Sequence, residues 1–183
     1  MQGVMVEGMS QFVRALAFAA EKHRGQRRKD VAASPYINHP IALADVLVNE
    51  GGVFDATVLC AAVLHDTIED TETTPDELAR HFGERIAGIV MEVTDDKALP
   101  KDERKTRQVT HAPYLSSEAK LVKLADKICN LRDILAAPPA GWSGARKRAY
   151  FDWAAQVIAG VRGAHPGLES LFDGLLARTA ELD

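Results

Sequence analysis

Little in this 183-residue chain points to a membrane, a disulfide or a sheet. It has two cysteines, Cys60 and Cys129. Both fall among aliphatic residues at helical spacing, so they read as small core side chains in a reducing compartment. Neither has a partner histidine at ligand spacing, which excludes a zinc knuckle. No charged-then-apolar leader opens the sequence, and no apolar stretch is long enough to span a bilayer. The charge imbalance is small, −4 with a pI near 5.9, which argues against a general nucleic-acid or membrane surface. Strand-like alternation, internal repeats, low-complexity tracts and linkers are also missing. What remains is 46% hydrophobic residues, enough to close one core at this length. The expectation is a single compact all-α domain over residues 1–183, soluble and cytoplasmic.

Helical signals recur along the whole chain. Ser10 is placed to cap a helix carrying Phe12, Leu16 and Ala20 to about His23. The polar, basic stretch RGQRRKDVAASP (24–35) follows. Pro40 suits the first turn of a helix carrying Ile41, Leu43, Val46 and Leu47, closed by Gly51 and Gly52. Asp55 can cap the apolar run that leads into AAVLHDTIED (61–70). TPDE (74–77) reads as a capping box, and its helix closes before Gly83. Another helix carries Ile86, Ile89, Val90 and Val93, and DDKALPKDERKTRQ (95–108) is charged throughout, with no helix assigned to it. Ser116 or Ser117 starts a long helix to about Ala137. Ser143 starts another, through Tyr150, Trp153 and Val157, and Pro166 begins the last. Seven or more helices are expected.

The greasiest of these helices ends in acids, and that demands an explanation. If 61–70 is one helix, each residue advances about 100°. His65, Asp66, Glu69 and Asp70 then share an arc of roughly 140°, with a carboxylate four residues after each member of the His-Asp pair. Acids are favoured at helix N-termini, and these sit at the other end. Either the end is frayed and solvated, or a positive group holds it. In KLVKLADKICNLRDIL (120–135), Leu121, Leu124, Ile128, Leu131 and Leu135 form an apolar stripe that Val122, Ala125 and Cys129 widen. Asp126 borders the widened stripe, with Asn130 one turn on. A partly buried carboxylate without a partner costs several kcal/mol, so Asp126 needs a cation, either a neighbouring Lys or Arg or a metal shared with His65 and Asp66. His39 sits at a helix start where Ser, Thr, Asp or Asn would cap better. Two imidazoles and two carboxylates together suit a divalent ion of intermediate hardness, Mn²⁺ or Fe²⁺ before Zn²⁺. Arg24, Arg27, Arg28 and Lys29 form a dense positive patch, either a solvated loop or an anion clamp. His23, His81, His111 and His165 read as surface or capping residues.

His39, the His65-Asp66 doublet and Asp126 follow the order of ligands in the HD-domain metal-dependent phosphohydrolases. HRGQRRKD…PYINHPIALADVL, LCAAVLHDTIEDTETT, HFGERIAGIVMEVTDDKALPKDERK and AKLVKLADKICNLRDIL resemble the hydrolase half of the RelA/SpoT alarmone enzymes. WSGARKRAYFDWAAQV extends the likeness to the metazoan-type small alarmone hydrolases, over about residues 12–162. The resemblance implies an HD-type helical bundle. It implies one Mn²⁺ on His39, His65, Asp66 and Asp126, with Glu69 and Asp70 acting on water. A bound divalent ion acidifies water and polarises a phosphoryl oxygen. Arg28 and Lys29 match phosphate-binding positions, and Lys101 is a better match than Lys97 for the far phosphates. Asn130, Arg146 and Tyr150 would contact the nucleotide, although Tyr150 also suits a core aromatic. The implied reaction removes the 3′-diphosphate of ppGpp or pppGpp. No room is left after residue 183 for a nucleotide synthetase. Alternatives are another phosphorylated nucleotide such as NADPH, a non-catalytic alarmone-binding module, or an HD-type iron oxygenase. Against the oxygenase stand the basic loop and the single-metal ligand set. A binding module would be expected to lose a ligand or Glu69-Asp70, and none is lost.

Overall fold

The computed structural model describes residues 2–182, with side-chain burial from residue 6 onward. Among the described residues there are ten α-helices: α1 (Gln2–Lys22), α2 (Asn38–Asp45), α3 (Ala56–Leu64), α4 (Thr67–Asp70), α5 (Pro75–Phe82), α6 (Glu84–Val93), α7 (Lys101–His111), α8 (Ser117–Ala136), α9 (Gly144–Ala159) and α10 (Pro166–Leu176). A π-type turn, Val46–Glu50, extends α2. Among the described residues there is no strand, only the isolated bridges Arg27–Pro35 and Asp30–Pro139. The all-α expectation holds, and no described helix is long and apolar enough to cross a membrane.

Local chemistry starts most of these helices. The Asp55 carboxylate accepts from the amides of Thr57 (2.7 Å) and Val58 (3.3 Å), capping α3. Thr74 Oγ1 accepts from Glu77 N at 3.2 Å and Pro75 opens α5, but the capping box is only half made. Glu77 turns its carboxylate to Lys22 Nζ, 2.8 Å away, because that pairs two charges across helices. Ser116 caps α8 and Ser143 caps α9. His165 caps α10, as expected of a capping histidine.

α3 is the centre of the bundle. Every residue from Val58 to Leu64 is buried, including Cys60, beneath α1, α2, α6 and α8. α8 is the second core element, and its expected stripe is buried at Leu124, Ile128 and Leu131, with Cys129 beside it. The two cysteines are free and buried. Gly160, in the turn that ends α9, lies so close to Ala112 and Pro113 that a Cβ there would come within 2.7 Å of Ala112 Cβ. That approach holds α9 against the end of α7.

Three expectations about boundaries need correction. α1 does not begin at Ser10 but runs unbroken from Gln2. A Cβ on Gly8 would come within 3.1 Å of Ala56 Cβ, so this added length packs on the start of α3. The charged stretch at 95–108 contains a helix, α7, with no buried residue. Its residues favour helix without supplying an apolar face to read. The segment 61–70 is not one helix either. α3 stops at Leu64, the chain turns through His65 and Asp66, and α4 restarts at Thr67. Thr67 Oγ1 donates to Leu64 O at 2.7 Å, competing with the helical ladder at the corner.

Candidate metal centre and its cavity

The corner after α3 aims His65 inward. The His65 Nδ1–H donates to Ala62 O at 2.8 Å, which orients the ring and turns Nε2 toward Asp66 and Asp126. His65 is 6% exposed and His39, from the first turn of α2, 4%. The structure thus buries His39 rather than leaving it at a helix surface. Asp126 comes from the middle of α8. One ligand atom each from His39, His65 and Asp126 lie within 4.8 Å of one another. His39 Nε2 is 3.2 Å and His65 Nε2 3.9 Å from Asp126 Oδ1. Donors about 2.1 Å from a common ion stand roughly 3–4 Å apart, so this spacing fits a metal. His65 Nε2 and His39 Nδ1 are buried without a hydrogen-bond partner. An imidazole lone pair among carboxylate oxygens is unfavourable unless a proton or a metal cation lies between them.

Asp66 stands apart from that trio. Its Oδ2 lies 2.9 Å from His65 Nε2 and accepts the Tyr36 hydroxyl. Tyr36 is itself packed against the His23 ring, with centroids 4.8 Å apart. His23 is not a surface residue. It is 2% exposed, and its Nδ1 lies 2.6 Å from Gln26 Oε1.

Electrostatics makes this pocket cation-seeking. Burial would raise the Asp66 and Asp126 carboxyls, but the neighbouring imidazoles outweigh it for Asp66, and Lys127 with the imidazoles outweighs it for Asp126, so both stay below the ordinary range. Burial would lower His65, yet Asp66 and Asp126 push it up to about 9. Of the two cations considered for Asp126, the neighbouring lysine is in place. Lys127 Nζ lies 2.9 Å from Oδ2, and Asn130 Nδ2 donates to Oδ1 at 2.6 Å. Lys127 is 3% exposed, its ammonium 4.5 Å from the Trp153 ring centroid.

Glu69 and Asp70 are not free carboxylates in solvent. Glu69 Oε2 accepts from Asp95 N at 3.2 Å, and Arg104 approaches Oε1 at 3.8 Å. Burial first, then the Asp66 and Asp95 charges, push the Glu69 carboxyl up to about 7. Asp70 is paired with Lys97 and accepts from Gln26 Nε2 at 3.4 Å. Lys97 is therefore engaged at the acidic pair rather than extended toward a distant phosphate.

A cavity of about 530 Å³ opens beside the trio. His39 and Asp70 line it, as do the consecutive Arg27, Arg28 and Lys29. Asn130 lines it from α8, Trp142 from the segment before α9 and Tyr150 from α9 itself. Arg28 is paired with Asp133, also a lining residue, and its guanidinium lies 5.8 Å from the Tyr36 ring centroid. Arg146 does not line the cavity but stacks over Trp142 at 4.4 Å. Lys101 opens α7, is exposed and lies outside the lining. Tyr36, Lys127, Arg104 and Asp133 went unnoticed in the sequence. The one available signal was that Lys123 and Lys127 interrupt an otherwise apolar face of α8.

Comparison with known proteins gives consistent relatives. The HD-domain family model matches residues 15–150. A guanosine-3′,5′-bis(diphosphate) 3′-pyrophosphohydrolase, MESH1, of Xenopus tropicalis is 56% identical over 159 residues, 87% of this chain and 89% of that one. Its human counterpart is 56% identical over 160 residues, with the same coverage of both chains. A solved structure described as a metazoan orthologue of SpoT that hydrolyses ppGpp superposes with a TM-score of 0.89. It is 44% identical, covering 92% of this chain and 94% of that one.

Proposed function

The chain belongs to the HD-domain family, and from that premise we propose that it is a metal-dependent 3′-pyrophosphohydrolase of guanosine 3′,5′-bis(diphosphate) and its 5′-triphosphate analogue. The observation that carries this reading is the juxtaposition of the His39–His65–Asp126 trio with a cavity whose wall bears Arg27, Arg28 and Lys29. In the reaction, water attacks the phosphorus on the ribose 3′-oxygen. The O–P bond breaks with its electron pair going to the 3′-oxygen, and the products are pyrophosphate and GDP or GTP.

His39, His65, Asp66 and Asp126 would hold one divalent ion, Mn²⁺ in our reading. Asp66 would join the other three through its carboxylate, whose Oδ2 lies 2.9 Å from His65 Nε2 and accepts the Tyr36 hydroxyl. When bound, the ion supplies Lewis acidity toward a phosphoryl oxygen and makes water a better nucleophile. Glu69, with a carboxyl poised near neutrality, accepts the proton of the attacking water. Asp70 orients that water, its own direction set by Lys97 and Gln26. Arg28 and Lys29 bind the 3′-diphosphate and meet the negative charge carried by the oxygens of the attacked phosphoryl group. Asn130, Tyr150 and the Trp142–Arg146 stack receive the nucleoside, with Lys101 beyond them toward the 5′-phosphates. We read residues 1–183 as one such hydrolase domain acting in the cytoplasm.

The test is to incubate the purified protein with Mn²⁺ and a panel of nucleotides, including ppGpp, pppGpp and NADPH. Release of pyrophosphate with GDP or GTP, abolished by chelator, is the expected result. Preferential release of inorganic phosphate from NADPH would overturn the substrate assignment.

A further inference from the structure

Arg28 is not a free cation waiting for phosphate. It is already held by a carboxylate of the same cavity wall, that of Asp133 on α8. The other lining carboxylates are engaged elsewhere. Asp30 accepts from Ser34 N (2.9 Å) and Ser34 Oγ (2.6 Å), which closes the 30–34 turn. Asp70 pairs with Lys97. Arg27 donates to the carbonyls of Arg24 and Gln26. Among the described residues the Asp133 side chain pairs with Arg28 alone, and its backbone carbonyl closes the end of α8 by accepting from Ala137 N at 2.7 Å. The Asp133 side chain is 47% exposed against 21% for Arg28. The pair is wet enough to open cheaply and charged enough to compete with an incoming anion.

We propose that Asp133 is a resident competitor for Arg28, holding the guanidinium in the free protein, yielding it to the substrate's diphosphate and reclaiming it as pyrophosphate departs. The proposal rests on the pyrophosphohydrolase reading for the identity of the anion. While Asp133 holds the guanidinium, Arg28 is unavailable to an anion, so the ligand's apparent affinity falls with the fraction of protein in which Arg28 is free. Pyrophosphate concentrates its charge at this wall, so the carboxylate weakens product binding and prevents an Arg–phosphate clamp, strong and bidentate by nature, from trapping it. The same feature raises KM for substrate.

The sign of this effect separates it from ordinary positioning. If Asp133 competes, Asp133→Asn frees Arg28 and tightens pyrophosphate. If Asp133 merely aims Arg28, the same substitution loosens it. Pyrophosphate affinity is measured by calorimetry on the whole protein, without turnover, alongside KM for ppGpp. Asp133→Asn is expected to lower both the pyrophosphate Kd and KM by about three- to tenfold. Asp133→Glu, which keeps the charge, is expected to stay within about twofold of wild type. In an Arg28→Ala background, Asp133→Asn should change the Kd by less than about twofold, because the contested cation is gone. A rise in Kd with Asp133→Asn, or an equal fall with Arg28 removed, would overturn the proposal. A wild type that binds pyrophosphate but leaves ppGpp intact would instead overturn the proposed reaction.

Discussion

Replacing Lys127 with methionine keeps the aliphatic stem and deletes a charge that is 3% exposed. Asp126, 13% exposed at its side chain, then loses the ammonium 2.9 Å from Oδ2. Removing one partner of a buried ion pair costs about 3–5 kcal/mol, because the other charge is stranded. Asp126 still keeps Asn130 at 2.6 Å and His39 at 3.2 Å, which puts the cost near the lower end, about 3 kcal/mol. In a domain of this size that lowers Tm by about 6–12 °C. The loss should be largest in chelator. A divalent ion in the trio restores a cation beside Asp126, so Mn²⁺ should raise the Tm of Lys127→Met by more than it raises that of wild type. Thermal unfolding followed by circular dichroism, with EDTA and with Mn²⁺, measures both gaps. Asp126→Asn/Lys127→Met, which strands neither charge, should be more stable in EDTA than Lys127→Met alone. A Tm gap of less than about 2 °C in EDTA, or a gap that Mn²⁺ leaves unchanged, refutes the reasoning.

Asp126→Ala should abolish metal binding, measured by calorimetry, and leave a helical protein whose Tm is lowered because Lys127 is now the stranded partner. Glu69→Gln should keep the metal and lose about a hundredfold or more in kcat. The Glu69 carboxyl is raised to about 7 from 4.5, so the native protein holds a proton that the unfolded chain releases. Its contribution to stability is full below pH 4.5 and lost as pH rises through 7. Metal-free Glu69→Gln should therefore gain up to about 3 kcal/mol over wild type between about pH 4 and 8, read from urea unfolding; parallel pH profiles would contradict this. Lys29→Ala should lower kcat/KM for ppGpp more than for a nucleotide with a single phosphate, with metal content unchanged, and an equal loss on both would remove Lys29 from the specificity argument.

The parts of this molecule that were legible in the sequence are those set by near neighbours. Asp55, Thr74, Ser116 and Ser143 announce their helices because a cap acts over three residues. The buried run of α3 and the stripe of α8 are visible because burial repeats with the helical period. His39, His65 and Asp126 drew attention as polar residues in places where local chemistry prefers something else. α7 was missed because no apolar face marks it, and the break at Thr67 because threonine's bond to Leu64 O leaves no trace in a hydropathy pattern. Tyr36 to Asp66, Lys97 to Asp70 and Arg28 to Asp133 span separations of 30, 27 and 105 residues, over which periodicity says nothing about who meets whom. Lys127 is the instructive case, since a lysine on a helix normally belongs to water. Its burial follows from the acid beside it.

The turn that ends α3 has a consequence for how such a protein can change over evolutionary time. The two residues at that turn are anchored to a helix whose interior from Val58 to Leu64 is sealed on every side, so the reactive centre is inherited together with the core and tolerates little revision. The 24–35 segment and the approach to α9 are joined to each other by little more than the Ala140 N to Lys29 O bond and the isolated Asp30–Pro139 bridge. Substitutions there leave the core untouched. Substrate preference can therefore drift at the rim while the hydrolytic apparatus stays fixed, and descendants of one such chain would diverge first in which phosphorylated compound they cleave, and only last in how they cleave it.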